Sequence, residues 1–467
     1  MKKQLILLLS IVVVLGLLGG GLWWLNGYQP APKSPSSTEA ERESLVETTS
    51  AEIQKLAVKN TVDSYVIQNS ANGAVIEGMD KAPLNGSLSA CLSAVANLSG
   101  TVVEREAKDL AAFGLNAPPI TVTVDYTGGS KTLLLGNKTP TGDGYYAKLP
   151  DNSTVYMVGY YGLTYLAESR MRYVDPMVTA ATQEGTAPNA FTLSGSVRPA
   201  PIMVAQGVTT EEMKGFGLFS YLITAPKQRS MDTERGSALF PSFFTITADE
   251  AVSYLQEGQK PTEFDLDAPY SSLEYTWLDG EGKLQRCKLS TSAPVDGKVY
   301  LVKEGVPVVY RVSADALLWL NTQYEDLVSR LQVMPMIDDV SYLTLEGGGK
   351  TWKYSLTGEE DKLVVLCDGK TLVTDNFRKF YQCLIGLPAE KYAPEPPAEG
   401  AKTVLKVTYQ YRDGSKPDVQ ELVEGPALQL YLAVNGEAEF LTKSKYLDTI
   451  LQNAQALQND QTITPLY

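Results

Sequence analysis

A pattern of strands and turns that occurs three times constrains this chain more than any other feature. The hexapeptides FGLNAP (113–118) and FDLDAP (264–269) are each followed by a strand-like run and then by a Gly-Gly or Asp-Gly turn. A third copy follows the tripeptide YAP at 392–394, where apolar and polar residues alternate before Asp413-Gly414. A period of two is typical of half-buried strands, and these glycine pairs suit the positive φ angles of tight hairpins. Three copies in one order predict a repeated folding unit.

Each copy continues with a second hairpin and a short helical pattern. The helical runs are GYYGLTYLAESR in the first copy, SADALLWLNTQYEDLVSRL in the second and KSKYLDTILQNAQAL in the third. The front half of each copy reads as short strands followed by a helix, which the capping-box spacing of Thr247-Ala-Asp-Glu250 predicts in the middle copy. We therefore predict an α+β fold of three tandem modules, each an antiparallel sheet with one or two packed helices. The modules span residues 45–185, 186–335 and 336–467.

The repeated hexapeptide is interpreted as a structural joint between helix and sheet. The run EREAKDLAAFGL predicts a helix that ends at Phe113, with Gly114 left-handed and Leu115 folded back on Leu110. Aspartate, which tolerates the left-handed conformation, replaces the glycine in the second copy, and the third copy keeps only an aromatic residue and the proline. A catalytic motif would not lose its polar members and keep its turn. The predicted joint residues are Phe113, Gly114, Leu115, Pro118, Phe264, Asp265, Leu266 and Pro269.

The N-terminus predicts a membrane anchor. Lys2 and Lys3 precede an uncharged run from Leu5 to Leu25, and about 20 apolar residues suffice to cross the hydrocarbon layer as a helix. The run exceeds the roughly 7–15-residue core of a signal peptide and no small-x-small site follows it, so an anchor is favoured over a cleaved leader. Lysines favour the cytoplasmic side. We expect a single-pass cell-membrane protein with an anchor at 1–27, a polar Pro/Ser linker at 28–44 and an extracytoplasmic body.

Four cysteines are too few for a disulfide framework in an extracytoplasmic body of this size. They are Cys91, Cys287, Cys367 and Cys383, each in an apolar or strand-like context. We predict that they are small buried core residues, although the sequence leaves a bridge between Cys367 and Cys383 open. The first of them lies too far from the membrane run to carry a lipid.

The composition excludes several chemistries. The chain has no histidine, which removes Ser-His-Asp and Cys-His catalysis, HExxH metalloproteases and histidine zinc sites. It has no CxxC pair and no GxxxxGK[ST] phosphate loop. Its formal net charge of −14 disfavours binding to nucleic acid. We therefore expect no catalytic residue, no cofactor, no metal and no nucleic-acid partner.

Adjacent carboxylates are one weak exception. Asp265 with Asp267, and Asp338 with Asp339, have the residue types needed for glycoside cleavage or for calcium. With 54 acidic residues such pairs arise easily, and the first pair falls within a predicted joint. A carboxylate-based hydrolase is thus the least favoured alternative.

Two loops are candidate interaction sites. In TPTGDGYY (139–146), Asp143, Tyr145 and Tyr146 could hold an ion or stack on a sugar, but the start of a hairpin is favoured. RSMDTERGS (229–237), with Arg229, Asp232 and Arg235, is a polar stretch without a strand or helix pattern. It is either a functional loop or a solvated connection, and the connection is favoured.

The joint FGL-x-x-P, the run TVTVDYTGGSKTLLLGNKTPTGDGYYAKLPDNSTVYMV and the anchor together resemble a bacterial family catalogued as domain of unknown function 4340. The resemblance is closest over residues 50–170. It implies one N-terminal span, an outward-facing repeated body and partnership with an ABC-type transporter of the gliding-motility type. It supplies no catalytic residues.

These features lead us to expect a non-catalytic, membrane-anchored extracytoplasmic scaffold or accessory subunit of an ABC-type transport or envelope assembly. The alternative is a module that binds cell-envelope glycans, with the carboxylate-based hydrolase less favoured.

Overall fold

The computed structural model describes residues 41–180, 185–207, 215 and 220–466. Three antiparallel sheets of nine strands each, with few helices, make up this part of the chain. The predicted anchor and all but the end of the predicted linker lie outside the described residues. The last three described linker residues, Arg42–Ser44, form a strand. None of the helices in the described ranges combines the length and apolar character that a membrane crossing requires.

In the first sheet, the hydrogen-bonded strands lie side by side in the order β1-β5-β9-β8-β7-β6-β2-β3-β4. One helix, α1 (Ser87–Val95), lies between its fourth and fifth strands along the chain. The strands are β1 (Arg42–Ser44), β2 (Ile53–Lys59), β3 (Ser64–Ser70), β4 (Gly73–Ile76), β5 (Ser99–Glu104), β6 (Ile120–Tyr126), β7 (Gly129–Lys138), β8 (Gly144–Lys148) and β9 (Val155–Gly159).

The second sheet has the order β13-β12-β11-β10-β15-β16-β17-β18-β14. Its helices are short: α2 (Thr233–Ser237), α3 (Pro241–Phe244) and α4 (Tyr324–Leu327). The strands are β10 (Ala190–Ser194), β11 (Ile202–Gln206), β12 (Tyr221–Ala225), β13 (Arg229–Ser230), β14 (Glu250–Tyr254), β15 (Ser271–Leu278), β16 (Leu284–Thr291), β17 (Lys298–Lys303) and β18 (Val306–Ser313).

The third sheet has the order β22-β21-β20-β19-β24-β25-β26-β27-β23. It carries the two longest described helices, α5 (Thr374–Ile385) and α6 (Lys445–Gln458). The strands are β19 (Val340–Gly347), β20 (Lys350–Thr357), β21 (Val364–Cys367), β22 (Lys370–Thr371), β23 (Lys391–Tyr392), β24 (Thr403–Tyr411), β25 (Asp418–Glu424), β26 (Gln429–Val434) and β27 (Glu437–Lys443).

The second and third sheets have the same topology. In each, the first four strands lie side by side in reverse order, the sixth to ninth follow, and the fifth returns to the far edge beside the ninth. The first sheet has this order too, except that it lacks the outermost fourth strand and gains β1 beside β5. Three sheets that share a strand order in which the fifth strand crosses to the far edge fit three tandem modules of one kind.

Alternation within the strands places the cores. In β6 the side chains of Ile120, Val122 and Val124 are buried while the residues between them are partly exposed. The corresponding strand of the third module, β24, buries Leu405 and Val407 in the same way. Burying one face of each strand against helices and loops removes apolar surface from water, which is the main stabilising contribution.

The helix predicted from EREAKDLAAFGL is wrong. Residues 105–113 form a series of turns instead. The Asp109 carboxylate accepts hydrogen bonds from the backbone N–H groups of Ala111 and Ala112, and Ala107 donates its N–H to Ser153. Aspartate that bonds to the nearby backbone in this way competes with helix formation.

Two helix predictions in the second module are also wrong. The run after Thr247 forms strand β14, whose residues Glu250–Tyr254 pair with β18. The run SADALLWLNTQYEDLVSRL does not form one continuous helix, and α4 is the only α-helix within it. Before α4, the buried guanidinium of Arg198 donates hydrogen bonds to the carbonyl oxygens of Trp319, Leu320 and Thr322. Burial lowers the pKa of Arg198 to about 10.

The described residues form two compact units. The first unit comprises residues up to Glu77 together with Gly86–Arg170, and the second comprises Gly78–Asn85 with Met171 onwards. The first sheet lies in the first unit, and the second and third sheets share the second unit. All four cysteines are buried, which confirms their interpretation as core residues, and Cys367 and Cys383 form no bridge.

Candidate interaction site

The first joint is a turn built around Gly114. Its φ is +70°, and the hydrogen bonds Leu115 N–H to Leu110 O (2.8 Å) and Gly114 N–H to Ala111 O (3.0 Å) have the Schellman pattern although no helix precedes them. A Cβ atom at Gly114 would lie 2.8 Å from the backbone nitrogen of Asn137. The Phe113 ring packs edge-on against Tyr146, and Pro118 comes two residues before β6. These residues fix the start of β6 against the end of β7.

The second joint has the same backbone conformation with an aspartate. Asp265 has φ +56° and ends the single 3₁₀ turn Thr262–Phe264. The Phe264 ring lies against Tyr300, at 5.0 Å between ring centroids, and Leu266 is buried. The carbonyl of Pro269 accepts a hydrogen bond from the Ser196 N–H. The contacts of each joint are thus with its own module, as a backbone corner would require.

The loop 139–146 is closed by its own hydrogen bonds. The Asp143 carboxylate accepts from the hydroxyl groups of Thr141 (2.6 Å) and Thr139 (2.7 Å), which lower the pKa of Asp143. Tyr145 is only 3% exposed and stacks on Tyr160, with ring centroids 5.7 Å apart. The ring of Tyr145 therefore offers no free face to a sugar.

The exposed tyrosine beside this loop is a different one. Tyr160 donates its backbone N–H to the carbonyl of Asp143, and its hydroxyl accepts from Lys138 Nζ at 3.3 Å. The next residue, Tyr161, is 88% exposed. Sequence reasoning did not distinguish the buried Tyr145 from the exposed Tyr161, because strand periodicity does not say which aromatic side chain faces the core.

The loop 229–237 is ordered by a buried ion pair. Arg229 is the first residue of β13, and its Nη2 lies 2.7 Å from a carboxylate oxygen of Glu439 on β27 of the third module. Lys227 Nζ lies 3.1 Å from the other oxygen of Glu439. The side chains of Arg229 and Glu439 are 9% and 3% exposed. We call Lys227, Arg229, Tyr324 and Glu439 the junction cluster.

Tyr324, the first residue of α4, completes the junction cluster. Its hydroxyl donates to Glu439 at 3.2 Å, and burial together with this carboxylate raises the pKa of Tyr324. Asp232 caps α2 by accepting the N–H of Arg235, whose side chain is half exposed. Of the three residues predicted in this loop, only Arg229 contacts another module. The stretch consists of a buried start at residues 229–231 and a short helix whose first residues are exposed.

Backbone pairing repeats where the chain leaves a module. We call residues 173–175 and 327–329 the outgoing segments, and residues 83–85 and 230–232, which lead into α1 and α2, the helix-leading segments. In one pair Asn85 N–H donates to Tyr173 O and Asp175 N–H to Pro83 O, both at 2.8 Å. In the other pair Asp232 N–H donates to Leu327 O (2.7 Å) and Ser329 N–H to Ser230 O (2.9 Å). The two patterns are identical, and all four segments belong to the second unit.

The chain then pairs with the segment of the next module that leads into its fifth strand. Met177 forms a bridge with Thr247, and Pro176 O accepts the N–H of Ala248. Leu331 forms the equivalent bridge with Pro388, and Arg330 O accepts the N–H of Ala389. In both connections this bridge comes three residues after the bridge of the outgoing segment, at Val174 or Val328. Residues 176–178, assigned from sequence to the first module, therefore pair with the segment of the second module that precedes β14.

The first unit has its own strong ion pair near its end. Asp63 accepts hydrogen bonds from Arg170 Nε (2.9 Å), Nη2 (2.8 Å) and the Arg170 backbone N–H (2.9 Å). The guanidinium holds the pKa of Asp63 at about 2, below its usual value of 3.8. The pair fixes the chain at the last residue of this unit.

The acidic pairs have structural contacts. Asp265 occupies the left-handed corner described above, and one Asp338 carboxylate oxygen accepts the backbone N–H of Glu360. The Asp339 carbonyl accepts the N–H of Arg412. Across the described ranges no three acidic or cysteine side chains come close enough together to hold a metal ion.

Sequence reasoning missed Glu439 and both connections. One signal for the glutamate was present: in GEAEFLT two glutamates alternate within a strand that is otherwise apolar. Such inward-facing charge calls for a partner, since an unpaired buried carboxylate is costly. The partner, more than 200 residues earlier in the chain, could not be read from local pattern.

Comparison with known proteins gives one match. No curated protein and no solved structure is similar enough to count as a match. A family model described as "Domain of unknown function (DUF4340)" matches residues 75–269, which extends from β4 of the first module to the second joint. Residues 75–269 of this chain are thus similar to the family described as domain of unknown function DUF4340.

Proposed function

We propose that this protein is a non-catalytic scaffold, anchored in the cell membrane, whose extracytoplasmic body holds partner proteins of an ABC-type transport or envelope assembly. The membrane anchor is inferred from the run Leu5–Leu25, and the transporter partnership from the resemblance to the DUF4340 family. The body contributes sheet surfaces, and the partner would supply any ATPase activity.

One observation carries the proposal: the second and third modules are joined into a single compact unit by the junction cluster and by paired backbone. A buried ion pair of this kind adds little net stability over an apolar contact, but it fixes one arrangement, since any other leaves a charge unpaired in the interior. A body with fixed modules presents a continuous surface longer than one module. Such a surface suits a protein that positions others.

Co-purification tests the proposal. The full-length chain carrying a C-terminal tag is isolated from detergent-solubilised membranes of its own host, and the recovered proteins are identified by mass spectrometry. We expect a membrane-embedded subunit and an ATPase subunit in constant ratio to the chain. The matched control replaces residues 1–27 by an unrelated single-pass anchor, which leaves the body intact and should recover the same partners. Recovery of the chain with no transporter component in repeated preparations would contradict the proposal.

Glycan binding is the second candidate, and the exposure of Tyr161 favours it. A tyrosine ring that is 88% exposed beside polar loop residues is a suitable surface for stacking on a sugar. Isolated cell-wall material should then retain the wild-type chain and release a Tyr161→Ala variant. The control is Tyr342→Ala, which removes another exposed tyrosine, on β19 of the third module. Equal retention of both variants would exclude this site.

A further inference from the structure

The third module has a helix-leading segment without an outgoing segment beside it. Residues 371–373 lead into α5 as residues 230–232 lead into α2. In the second module this segment pairs with residues 327–329, and residues 83–85 pair with 173–175. After the third module the chain continues along α6 and then bonds through Thr464 to Asn453. Apart from β21 and the first turn of α5, nothing in the described part of the chain pairs with the backbone of residues 371–373.

The alternation of hydrogen bonds between β21 and β22 shows which backbone groups of residues 371–373 face away from the sheet. Leu372 N–H donates to Val365 O, just as Met231 N–H donates to Tyr221 O in the second module. In an antiparallel pair the bonded and non-bonded positions alternate, so residues on either side of Leu372 direct their backbone groups away from β21. These groups are the carbonyl of Thr371 and the N–H of Val373.

The equivalent groups in the second module are the carbonyl of Ser230 and the N–H of Asp232. Both are bonded to the outgoing segment, through Ser329 N–H and Leu327 O. Among the described residues, the carbonyl of Thr371 and the N–H of Val373 have no hydrogen-bond partner. The third module therefore repeats one half of a pairing that is complete in two other places.

The side chains around this edge suit an apolar strand. Val373 is 48% exposed, where the second module has Asp232 and the first has Asn85. Val364, the first residue of the neighbouring β21, is also exposed. Leu372 is buried and anchors the segment to the sheet. An edge with open backbone groups and exposed valines is a template for strand addition.

We propose that residues 371–373 bind an extended segment of a partner protein, in which an apolar residue and a valine are followed by a small polar residue. The two outgoing segments define this chemistry, because they are Tyr173-Val174-Asp175 and Leu327-Val328-Ser329. In each, the first residue offers its carbonyl and the third its N–H, while the apolar side chains are buried. The partner segment donates an N–H to Thr371 O and accepts the N–H of Val373.

This inference goes beyond the proposed function and stands apart from it. The pairing requires only an extended peptide of the stated pattern, whether or not its source is a transporter. Peptide binding can therefore fail while co-purification succeeds, and the reverse result is equally distinguishable.

A peptide titration tests the inference. The probe is a fluorescently labelled synthetic peptide with the sequence QYEDLVSRLQ of residues 323–332, added to the full-length chain in detergent. We expect saturable binding below about 1 mM, and a loss of about tenfold or more when the amide nitrogen at the serine of the peptide is methylated, since one backbone hydrogen bond is removed. Hydrogen exchange read by mass spectrometry should show slower exchange around Val373 when the unmodified peptide is bound.

Val373→Pro is the sharpest variant. Val373 has φ −70°, close to the value that proline fixes, so this change removes the N–H without imposing a new backbone angle. It should weaken peptide binding by about tenfold. Val373→Ala keeps the N–H and is the matched control, with an expected change of less than about threefold.

Three results would overturn the inference. They are no binding of the unmodified peptide, binding that Val373→Pro leaves unchanged, and bound-state protection that lies elsewhere in the chain. If Val373→Pro does not fold, binding of the methylated peptide and hydrogen exchange in the wild-type chain still test whether residues 371–373 bind the peptide. Protection of residues 371–373 that rises with protein concentration, without peptide, would identify a second copy as the occupant and refute a foreign partner.

Discussion

Loss of Arg229 should weaken the second unit, because it leaves a buried carboxylate without its closest cation. The substitution Arg229→Met removes the guanidinium but keeps the length of the side chain. It leaves the Glu439 carboxylate, which is 3% exposed, with only Lys227 at 3.1 Å and the Tyr324 hydroxyl at 3.2 Å. A buried carboxylate that loses its closest cation is strongly unfavourable.

The size of the effect follows from burial. Removing one partner of a buried ion pair costs about 3–5 kcal/mol. Arg229 also lies 3.1 Å from Glu437, but that glutamate is 52% exposed, so this contact contributes no more than about 0.5 kcal/mol. Lys227 still partly compensates Glu439. We therefore expect the free energy of unfolding of the second unit to fall by about 3 kcal/mol, at the lower end of the range.

Pulse proteolysis over a urea series measures this change, because it follows the loss of one unit in a chain that need not unfold in a single step. The urea midpoint of the second unit should fall by about 1 M. The control Lys227→Met, which removes a side chain that is 42% exposed, should cost less than about 1 kcal/mol.

A double variant distinguishes the cost of an unpaired buried charge from the cost of lost packing. Arg229→Met with Glu439→Leu removes both buried charges, so it should recover most of the lost stability and lie within about 1 kcal/mol of the wild type. If the double variant is as unstable as the sum of the two single variants, the cost comes from packing and not from an orphaned charge. A midpoint for Arg229→Met equal to that of the wild type would refute the reasoning outright.

Three further predictions concern other parts of the chain. The first unit should lose about 2 kcal/mol of stability as the pH falls from about 4 to 2, because the depressed pKa of Asp63 stabilises the fold only while its carboxylate is ionised; acid unfolding of Asp63→Asn should lack this step. Gly114→Ala should destabilise this unit by more than about 2 kcal/mol in thermal unfolding, since its Cβ would meet Asn137, whereas Gly142→Ala at a similar φ with open space should cost about 1 kcal/mol. Deletion of Leu5–Leu25 should move the chain from the membrane to the soluble fraction in carbonate extraction, and continued membrane retention would contradict the anchor.

Local pattern predicted much of the sheet and the helices α1, α5 and α6, but it also predicted helices that do not form. Alternation in β6 and β24 and glycine-bearing turns marked the hairpins, since strands and tight turns depend on neighbouring residues. The helix predictions after Thr247 and around Trp319 failed because distant groups decided the outcome. In one case the run pairs with β18, and in the other the chain around Trp319 is bonded to the distant Arg198 side chain.

The candidate sites show the same division. Positive φ at Gly114 and Asp265 follows from residues that are adjacent in sequence. The pairing of Arg229 with Glu439, and of residues 230–232 with 327–329, joins segments about 100 or more residues apart, and no local period encodes it. Such contacts depend on the order in which strands cross the sheet, which a single sequence does not reveal.

The fixed interval between the two bridges of each connection limits how this chain can change length. In each connection the two ends of a short stretch pair with different partners, at Val174 and Met177 or at Val328 and Leu331. Inserting or deleting one residue between them would turn the side chains that follow to the opposite face of the paired segment. Duplication or loss of a complete copy preserves that spacing. Descendants of such a gene should therefore grow or shrink by whole multiples of the repeat, with small insertions confined to hairpin tips.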